Sequence, residues 1–351
     1  MRVLLTGATG VVGTELAHQL RAAAAAHGRP LDLVPVSRRG EHTVRWRMGA
    51  EPPPAELTGH WDVVVHAAAS TRWTLGRDQA AAANLDPLRA VLALADRDTH
   101  LVQVSTAYVG GDRNPEDLRG TEFEGYRNGY EWSKARCEDL ARAHHPGPLT
   151  LVRPPLVVGR RATGEIARFS GPYTMLQALV SGTAAVVVGD PAGHAEISPV
   201  DEVAAALTAA VLDAPPERPR TEVIAAGPDS LDLDTLLDVI CTTLNDFRAA
   251  HGAAPVARPP LVPVDSWNRF FLPLCDQYLS PIQSQAVKLL AMFQSYTSMR
   301  RPFTPTWKVP DPATAMAASV HHWATRRPHL ALARPQPWTL LGPGRPATAA
   351  P

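Results

Sequence analysis

The sequence predicts an α/β fold: a doubly wound (Rossmann) parallel sheet with a smaller, mainly helical C-terminal cap. Three observations predict it. A glycine-spaced turn, "TGATGVVG" at residues 6–13, follows the first apolar run and opens the first helix. Short Val- and Leu-rich runs then alternate with Ala-rich helical stretches to about residue 230. Those runs are apolar throughout rather than at every second residue, as strands covered on both faces must be.

Each element follows from its own residues. "RVLL" is a short buried strand and "GTELAHQLRAAAAA" the helix after it. "LDLVPVS" and "WDVVVHAAA" are the second and third strands, the latter a Val run that closes on small residues. "DQAAAANLDPLRAVLALA" is a helix despite Pro87. "HLVQVSTAYV" is a strand, "YEWSKARCEDLARAH" a helix and "PLTLVRPPLVV" a strand. Beyond Gly159 the rhythm loosens. "EIARFSGPYTMLQALVSG" reads as helix and "AAVVVGD" as strand. "SPVDEVAAALTAAVLDA" is a helix opened by a Ser N-cap with acids in its first turn, and "TEVIAAG" is a last strand. Residues 1–230 thus form a nucleotide-binding domain, with 160–185 contributing to the cap. Residues 231–333 form a helical substrate-binding region rich in bulky aromatics, and 334–351 a Pro-rich tail expected to be partly disordered.

The bulk numbers exclude several function classes. The 351 residues are 45% hydrophobic and 19% charged, which suits a globular protein, and the formal net charge of +0 gives no general attraction to nucleic acid or anionic lipid. Cys137, Cys241 and Cys275 are too few and too far apart for a disulfide framework or a metal knot, so a cytoplasmic setting is expected. No metal site is expected: the adjacent pairs His144–His145 and His321–His322 point apart on a helix. No signal peptide or membrane span is legible.

The glycine turn carries the cofactor reading. Gly7 permits the tight turn, Gly10 lets backbone N–H groups approach a pyrophosphate at the helix N-terminus, and Gly13 lets helix and strand pack closely. Thr9, Val11 and Val12 share that cradle. At the end of the second strand an acid would bind a ribose 2′-hydroxyl, whereas arginine accommodates a 2′-phosphate. The chain has Ser37, Arg38 and Arg39 there, with no acid before Glu41, so NADP(H) is expected over NAD(H). Asp62 is expected on the adenine side. Ala67 and Ala68 leave room for close passage of the cofactor, and His66 takes no catalytic role.

The chemistry is expected at the next strand end. Ser105, Thr106 and Tyr108 bring hydroxyls to the same carboxyl edge, where Thr106 and Tyr108 can meet a substrate carbonyl. On the following helix Tyr130 and Lys134 are four residues apart and share a face. The chain has 34 Lys+Arg but only three lysines, so a lysine at this spot is notable. A nearby ammonium stabilises a phenolate and lowers its pKa, making Tyr130 a proton donor to a carbonyl oxygen as hydride reaches carbon. Lys134 would also reach the nicotinamide ribose. Tyr126 is a decoy, with no lysine four residues on. Asn84, on the preceding helix, is expected to anchor a water or the helix bend beside the cofactor.

In this order "TGATGVVG", "HAAAS", Asn84, "VSTAYV", "GYEWSK" and "LVRPPLVVG" resemble the extended short-chain dehydrogenase/reductases. The wording is most similar to the branch of fatty acyl-CoA reductases and the thioester reductase domains of carboxylic acid reductases and peptide synthetases. The resemblance covers residues 1 to about 230. It implies Thr106, Tyr130 and Lys134 as a catalytic trio and Arg153 to Leu156, including Pro154 and Leu156, as a wall near the nicotinamide. It also implies that Ser198, Val200 and Asp201 close the sheet side of the cleft, with Ser198 toward substrate. The expected function is NADPH-dependent reduction of a carbonyl, whether acyl thioester, aldehyde or ketone, of a hydrophobic small molecule in a biosynthetic pathway. Two alternatives stand beside it: an NAD-dependent sugar-nucleotide epimerase or dehydratase, and a non-catalytic NADP(H)-binding sensor. The lack of an acid beside Thr106 weighs against dehydration. A monomer and a homodimer are equally expected; the Tyr130–Lys134 helix could build a dimer interface, but Arg136, Glu138 and Asp139 are read on its outer face.

Overall fold

The computed structural model describes the whole chain except residues 41, 111–122, 276–278, 281–282, 285–286, 288–292, 295 and 336–351. The expected disorder of the tail therefore falls, from residue 336 on, outside the described residues. In chain order the strands are β1 (Arg2–Thr6), β2 (Asp32–Ser37), β3 (Val44–Arg45), β4 (Val63–His66), β5 (His100–Val104), β6 (Leu149–Arg153), β7 (Leu156–Val158), β8 (Val187–Val188), β9 (His194–Ala195), β10 (Ile197–Pro199), β11 (Arg220–Ala225), β12 (Leu231–Asp232), β13 (Leu261–Val262) and β14 (Trp307–Lys308). Eight of them form one parallel sheet in the order β14-β11-β6-β5-β4-β1-β2-β3. The remaining six pair as β10-β7, β12-β9 and β13-β8. The winding reverses at β1, and in such sheets ligands bind outside the strands' carboxyl ends at that point.

The unbroken apolar runs are explained by two covered faces. Val3, Leu5, Val65, Val102 and Val152 pack against Leu16 and Leu20 of α1 (Val11–Ala26) and Val203 and Leu207 of α6 (Val200–Leu212). Leu4, Val64, Leu101 and Leu151 point the other way, onto Trp46, Trp61, Val91 and Ala141. Neighbours in one strand thus serve opposite cores, which removes any polar alternation. A separate core joins α5 (Pro172–Ser181), α7 (Leu233–Ala250) and the helix Pro312–Arg326 through Leu176, Ile240, Leu244, Val320 and Trp323.

Several expected elements differ in detail. The helix over "DQAAAANLDPLRAVLALA" is α2 (Arg77–Ala80) and α3 (Asp86–Leu92) joined by a π-turn, Ala81–Leu85. The widened turn precedes Pro87, whose ring would clash with the carbonyl four residues back in a regular helix. The helix read across 165–182 is confined to α5, which starts at Pro172 after Gly171 at φ +60°. The N-cap of α6 is Pro199, without a side-chain cap; Ser198 lies inside β10. β11 is not the last strand. The chain returns from the C-terminal region to place β14 on the sheet edge, so the sheet draws on residues well beyond 230. Two residues are too few for a period to show.

Candidate active site

The glycine turn is built as its spacing implies. Gly7 has φ +70°, and a Cβ there would lie 2.6 Å from the Ala68 nitrogen and 2.7 Å from the Ala67 carbonyl carbon. A Cβ on Gly13 would sit 2.2 Å from the Gly7 oxygen, and one on Gly10 3.1 Å from that same atom. Gly10 is the N-cap of α1, whose first turn receives no side-chain cap and no acid. The turn bearing Thr9, Val11 and Val12 thus presents backbone N–H groups where an anion is favoured. Ala67 and Ala68 follow β4 at the same edge, Ala68 N donating to Thr6 Oγ1 at 3.4 Å. These features fit a nucleotide pyrophosphate: a helix N-terminus, close backbone and no side chain in the way.

Ser37 ends β2 and is buried; its Oγ meets Thr43 Oγ1 at 2.7 Å and accepts from Gly40 N at 3.1 Å. That turn leaves Arg38 and Arg39 exposed, with no ion pair to another described residue. Asp62 is a correction. It precedes β4 at the amino end of the strand, on the edge opposite Gly7, where its Oδ2 accepts from Arg2 N at 2.6 Å. Parallel pairing puts residue 66, not 62, at the cofactor edge, because Thr6 is in register with His66.

The residues expected to be catalytic lie beyond β5. Val104 ends that strand, and buried Thr106 lies two residues on, its Oγ1 donating to the Pro154 carbonyl at 3.3 Å. Helix α4 (Gly129–His144) brings Tyr130 near it, where the Thr106 side chain pulls the phenol's pKa down. One turn later buried Lys134 donates through Nζ to the Val104 carbonyl at 2.5 Å. Tyr130 and Thr106 are thus brought near each other, while Lys134 is engaged by the Val104 carbonyl. The expected lowering of the phenol's pKa is not seen. Burial pushes Tyr130 up to about 12 against the pull from Thr106, with Glu131 raising it further. Lys134, itself held down by burial, is not among the groups that move it. At neutral pH the proton stays on Tyr130. Tyr126 packs sideways with Leu88 and Trp132, away from this role.

Asn84 sits in the π-turn and fastens three pieces. Its Oδ1 accepts from Ser70 N at 2.6 Å, and its Nδ2 donates to Ser70 O at 3.1 Å and to Ser133 Oγ at 2.7 Å. Ser133 Oγ in turn donates to the Tyr130 carbonyl at 2.8 Å. The amide thus anchors the helix bend to α4, and its polar atoms are engaged by protein groups. His66 is buried, with Nδ1 2.8 Å from Thr6 Oγ1; burial first, then Lys134, lowers its pKa to about 3, so it is neutral.

Pro154 is buried against Thr106 and Leu156 is half-buried, whereas Arg153 turns away, holding Glu138 of α4 by two bonds at 2.8 and 2.5 Å. Glu138 is therefore an inward residue, not part of an outer charged face. Ser198 is a second correction. It is fully enclosed and donates to the Ile224 carbonyl at 3.0 Å, so it ties β10 to β11 and faces no substrate. Tyr108 is also buried, its ring edge-on to Tyr296 at 4.7 Å and to Phe303 at 5.3 Å. Glu131, Arg127, Trp73 and Tyr296 belong to the same cluster and were not singled out by sequence. Arg127 and Glu131 are four apart, a legible pair; nothing in the sequence joins Tyr296 to them.

Among the described residues no group of His, Cys, Asp or Glu could hold a metal ion, and no helix is long and apolar enough to cross a membrane. Residues 51–207 match the NAD-binding family described as Male sterility protein. No curated protein matches the chain. Among solved structures, the terminal R domain from the myxalamid PKS-NRPS biosynthetic pathway is 18% identical, with 95% of this chain and 92% of that one covered and a TM-score of 0.67. A thiolation-reductase di-domain from an archaeal non-ribosomal peptide synthetase is 15% identical, with 94% and 76% covered and a TM-score of 0.63. A UDP-glucuronic acid 4-epimerase from Bacillus cereus, in complex with NAD, is 16% identical, with 93% and 99% covered and a TM-score of 0.54. At such identities the likeness is one of fold.

Proposed function

Since the chain has the extended short-chain dehydrogenase/reductase fold and resembles its fatty acyl-CoA reductase and thioester reductase branch, we propose that it is an NADPH-dependent oxidoreductase. Its substrate is a carbonyl of a hydrophobic small molecule: an acyl thioester, an aldehyde or a ketone. When bound, the cofactor supplies hydride to the carbonyl carbon. Gly7, Gly10 and Gly13 would hold its pyrophosphate, Arg38 and Arg39 its 2′-phosphate, and Pro154 and Leu156 would flank its nicotinamide.

The chain's own residues perform the proton half of the reaction. Tyr130 is the donor to a carbonyl oxygen at the carboxyl edge, and Thr106 beside it would join only by giving up its bond to the Pro154 carbonyl. Tyr130 gives up its proton as negative charge grows on the substrate's oxygen. Lys134, one turn along α4 and bonded to the Val104 carbonyl, would reach the nicotinamide ribose rather than the phenol. The observation that carries the reading is a phenol that burial keeps protonated, Tyr130, held near Thr106 on the helix that also carries Lys134. Tyr130→Phe should lower kcat by ~10²-fold or more, as loss of a positioned acid does, while NADPH still binds. Undiminished turnover by that variant with an aldehyde or acyl-thioester panel would refute the assignment. Co-purified NAD without net NADPH consumption would point instead to epimerase chemistry.

A further inference from the structure

The C-terminal region grips the turn that carries the proton donor. Asn128 is the N-cap of α4, its Oδ1 accepting from Glu131 N at 3.0 Å. Tyr130 lies between these two residues. Tyr296, from the helical C-terminal region, is 2% exposed and reaches both. Its hydroxyl accepts from Asn128 Nδ2 at 2.6 Å and donates to Glu131 Oε1 at 2.5 Å. Glu131 is wholly buried and paired with Arg127, whose guanidinium lies 4.4 Å from the Tyr296 ring centre. The same ring stacks on Trp73 at 4.5 Å and 16° and meets Tyr108 edge-on. Tyr108 N, in turn, donates to Thr106 Oγ1 at 3.4 Å. One side chain from the cap therefore touches both arms of the candidate site: the first turn of α4 and the Thr106 loop.

We propose that Tyr296 is a positioning residue, which fixes the pose of Tyr130 through Asn128 and Glu131 and makes proton donation depend on a docked cap. The proposal rests on the reductase reading for its kinetic consequence and on the hydrogen bonds alone for its structural one. A hydroxyl fixed between an amide donor and a carboxylate acceptor defines the turn more tightly than apolar packing does. An undocked cap would release Asn128 and Glu131 together and widen the range of Tyr130 positions.

The test is Tyr296→Phe in the full chain. The ring and its Trp73 stack remain, and both hydroxyl bonds go. A misplacement of about 1 Å near the chemistry costs up to ~10²-fold, so kcat should fall at least ~10-fold, with KM and NADPH affinity changed far less. Hydrogen exchange in the peptide 126–134 should rise, with strands β1, β4 and β5 unchanged. Glu131→Gln, which keeps an oxygen acceptor for Tyr296, should retain more activity than Glu131→Ala. A Tyr296→Phe enzyme with wild-type kcat and unchanged exchange in 126–134 would overturn the proposal. Were wild-type protein inactive on every carbonyl tried, the reductase reading would fall, and the exchange result would still decide this one.

Discussion

At the scale of single residues, the site is set by where burial puts charge. Arg38 and Arg39 are exposed at the end of β2, as a 2′-phosphate site requires. Bonds to a charged group are each worth ~1.5–3 kcal/mol, so Arg38→Ala with Arg39→Ala should raise the KM for NADPH ~10-fold or more and leave that for NADH nearly unchanged. Equal effects on both cofactors in steady-state kinetics would count against NADP(H). His66 offers a pH test. Its folded pKa of about 3 lies below the ordinary 6.5, because burial disfavours the imidazolium. The unfolded chain therefore binds a proton that the folded chain refuses, so the stability due to neutral His66 is present above about 6.5 and is lost as pH falls toward 3. His100, lowered to about 4 mainly by burial, acts in the same direction. Thermal melts should drop from pH 7 to 4.5, and His66→Asn should flatten the slope. An unaltered slope in that variant would assign the loss to other groups.

At the scale of elements, the helix bearing Tyr130 and Lys134 is held to the sheet by the Lys134–Val104 bond and by a partly buried ion pair. Glu138, one turn past Lys134, is 5% exposed and takes both bonds of Arg153 at the end of β6. Removing one partner of a buried pair costs ~3–5 kcal/mol, and the low end applies here because Arg142 Nη2 also lies 4.0 Å from Glu138. Arg153→Ala should lower stability by about that much in urea titration, and adding Glu138→Gln should recover part of it; no recovery would mean that packing, not charge, holds α4. The parallel sheet, the glycine turn and the Tyr130–Lys134 face were legible because each rests on local spacing. Gly7 and Gly13 show in any reading of the chain, and so does a rare lysine four residues after a tyrosine. Asp62 misled although its place before β4 already put it at the amino edge, and Ser198 because a strand's residue order does not show which side a polar group faces. Asp62 sits beside Arg2 at the amino edge, and Ser198 inside the β10–β11 contact. Glu138 and Tyr296 act across 15 and 165 residues, and no periodic pattern marks such pairs.

At the scale of the whole molecule, the question is what joins the C-terminal region to the sheet. Tyr296 does so from the candidate site, and β14 does so at the sheet edge. Between them lies Glu196, a fully buried carboxylate just before β10. Its Oε2 accepts from Ala226 N at 2.9 Å, and its Oε1 accepts from Gly227 N at 3.1 Å and from Phe303 N at 3.1 Å. One side chain thus binds the end of β11 to the segment leading into β14. Burial raises its pKa, and the three backbone bonds oppose that shift by stabilising the anion. The Glu196 carbonyl also accepts from Tyr108 Oη at 3.4 Å, so the same residue supports the Thr106 loop. Each buried N–H left unsatisfied costs ~1–3 kcal/mol, and Glu196→Ala leaves three. Glu196→Gln keeps one oxygen for Gly227 and Phe303 but turns an amide donor toward Ala226 N. Stability should therefore fall in the order Glu, Gln, Ala, with the alanine variant several kcal/mol below wild type in urea. Limited proteolysis should open the 298–306 segment in that variant before any sheet strand is cut. If Glu196→Ala melted with wild-type cooperativity and midpoint, the cap would be held by its apolar core alone, and docking could not be read through this carboxylate.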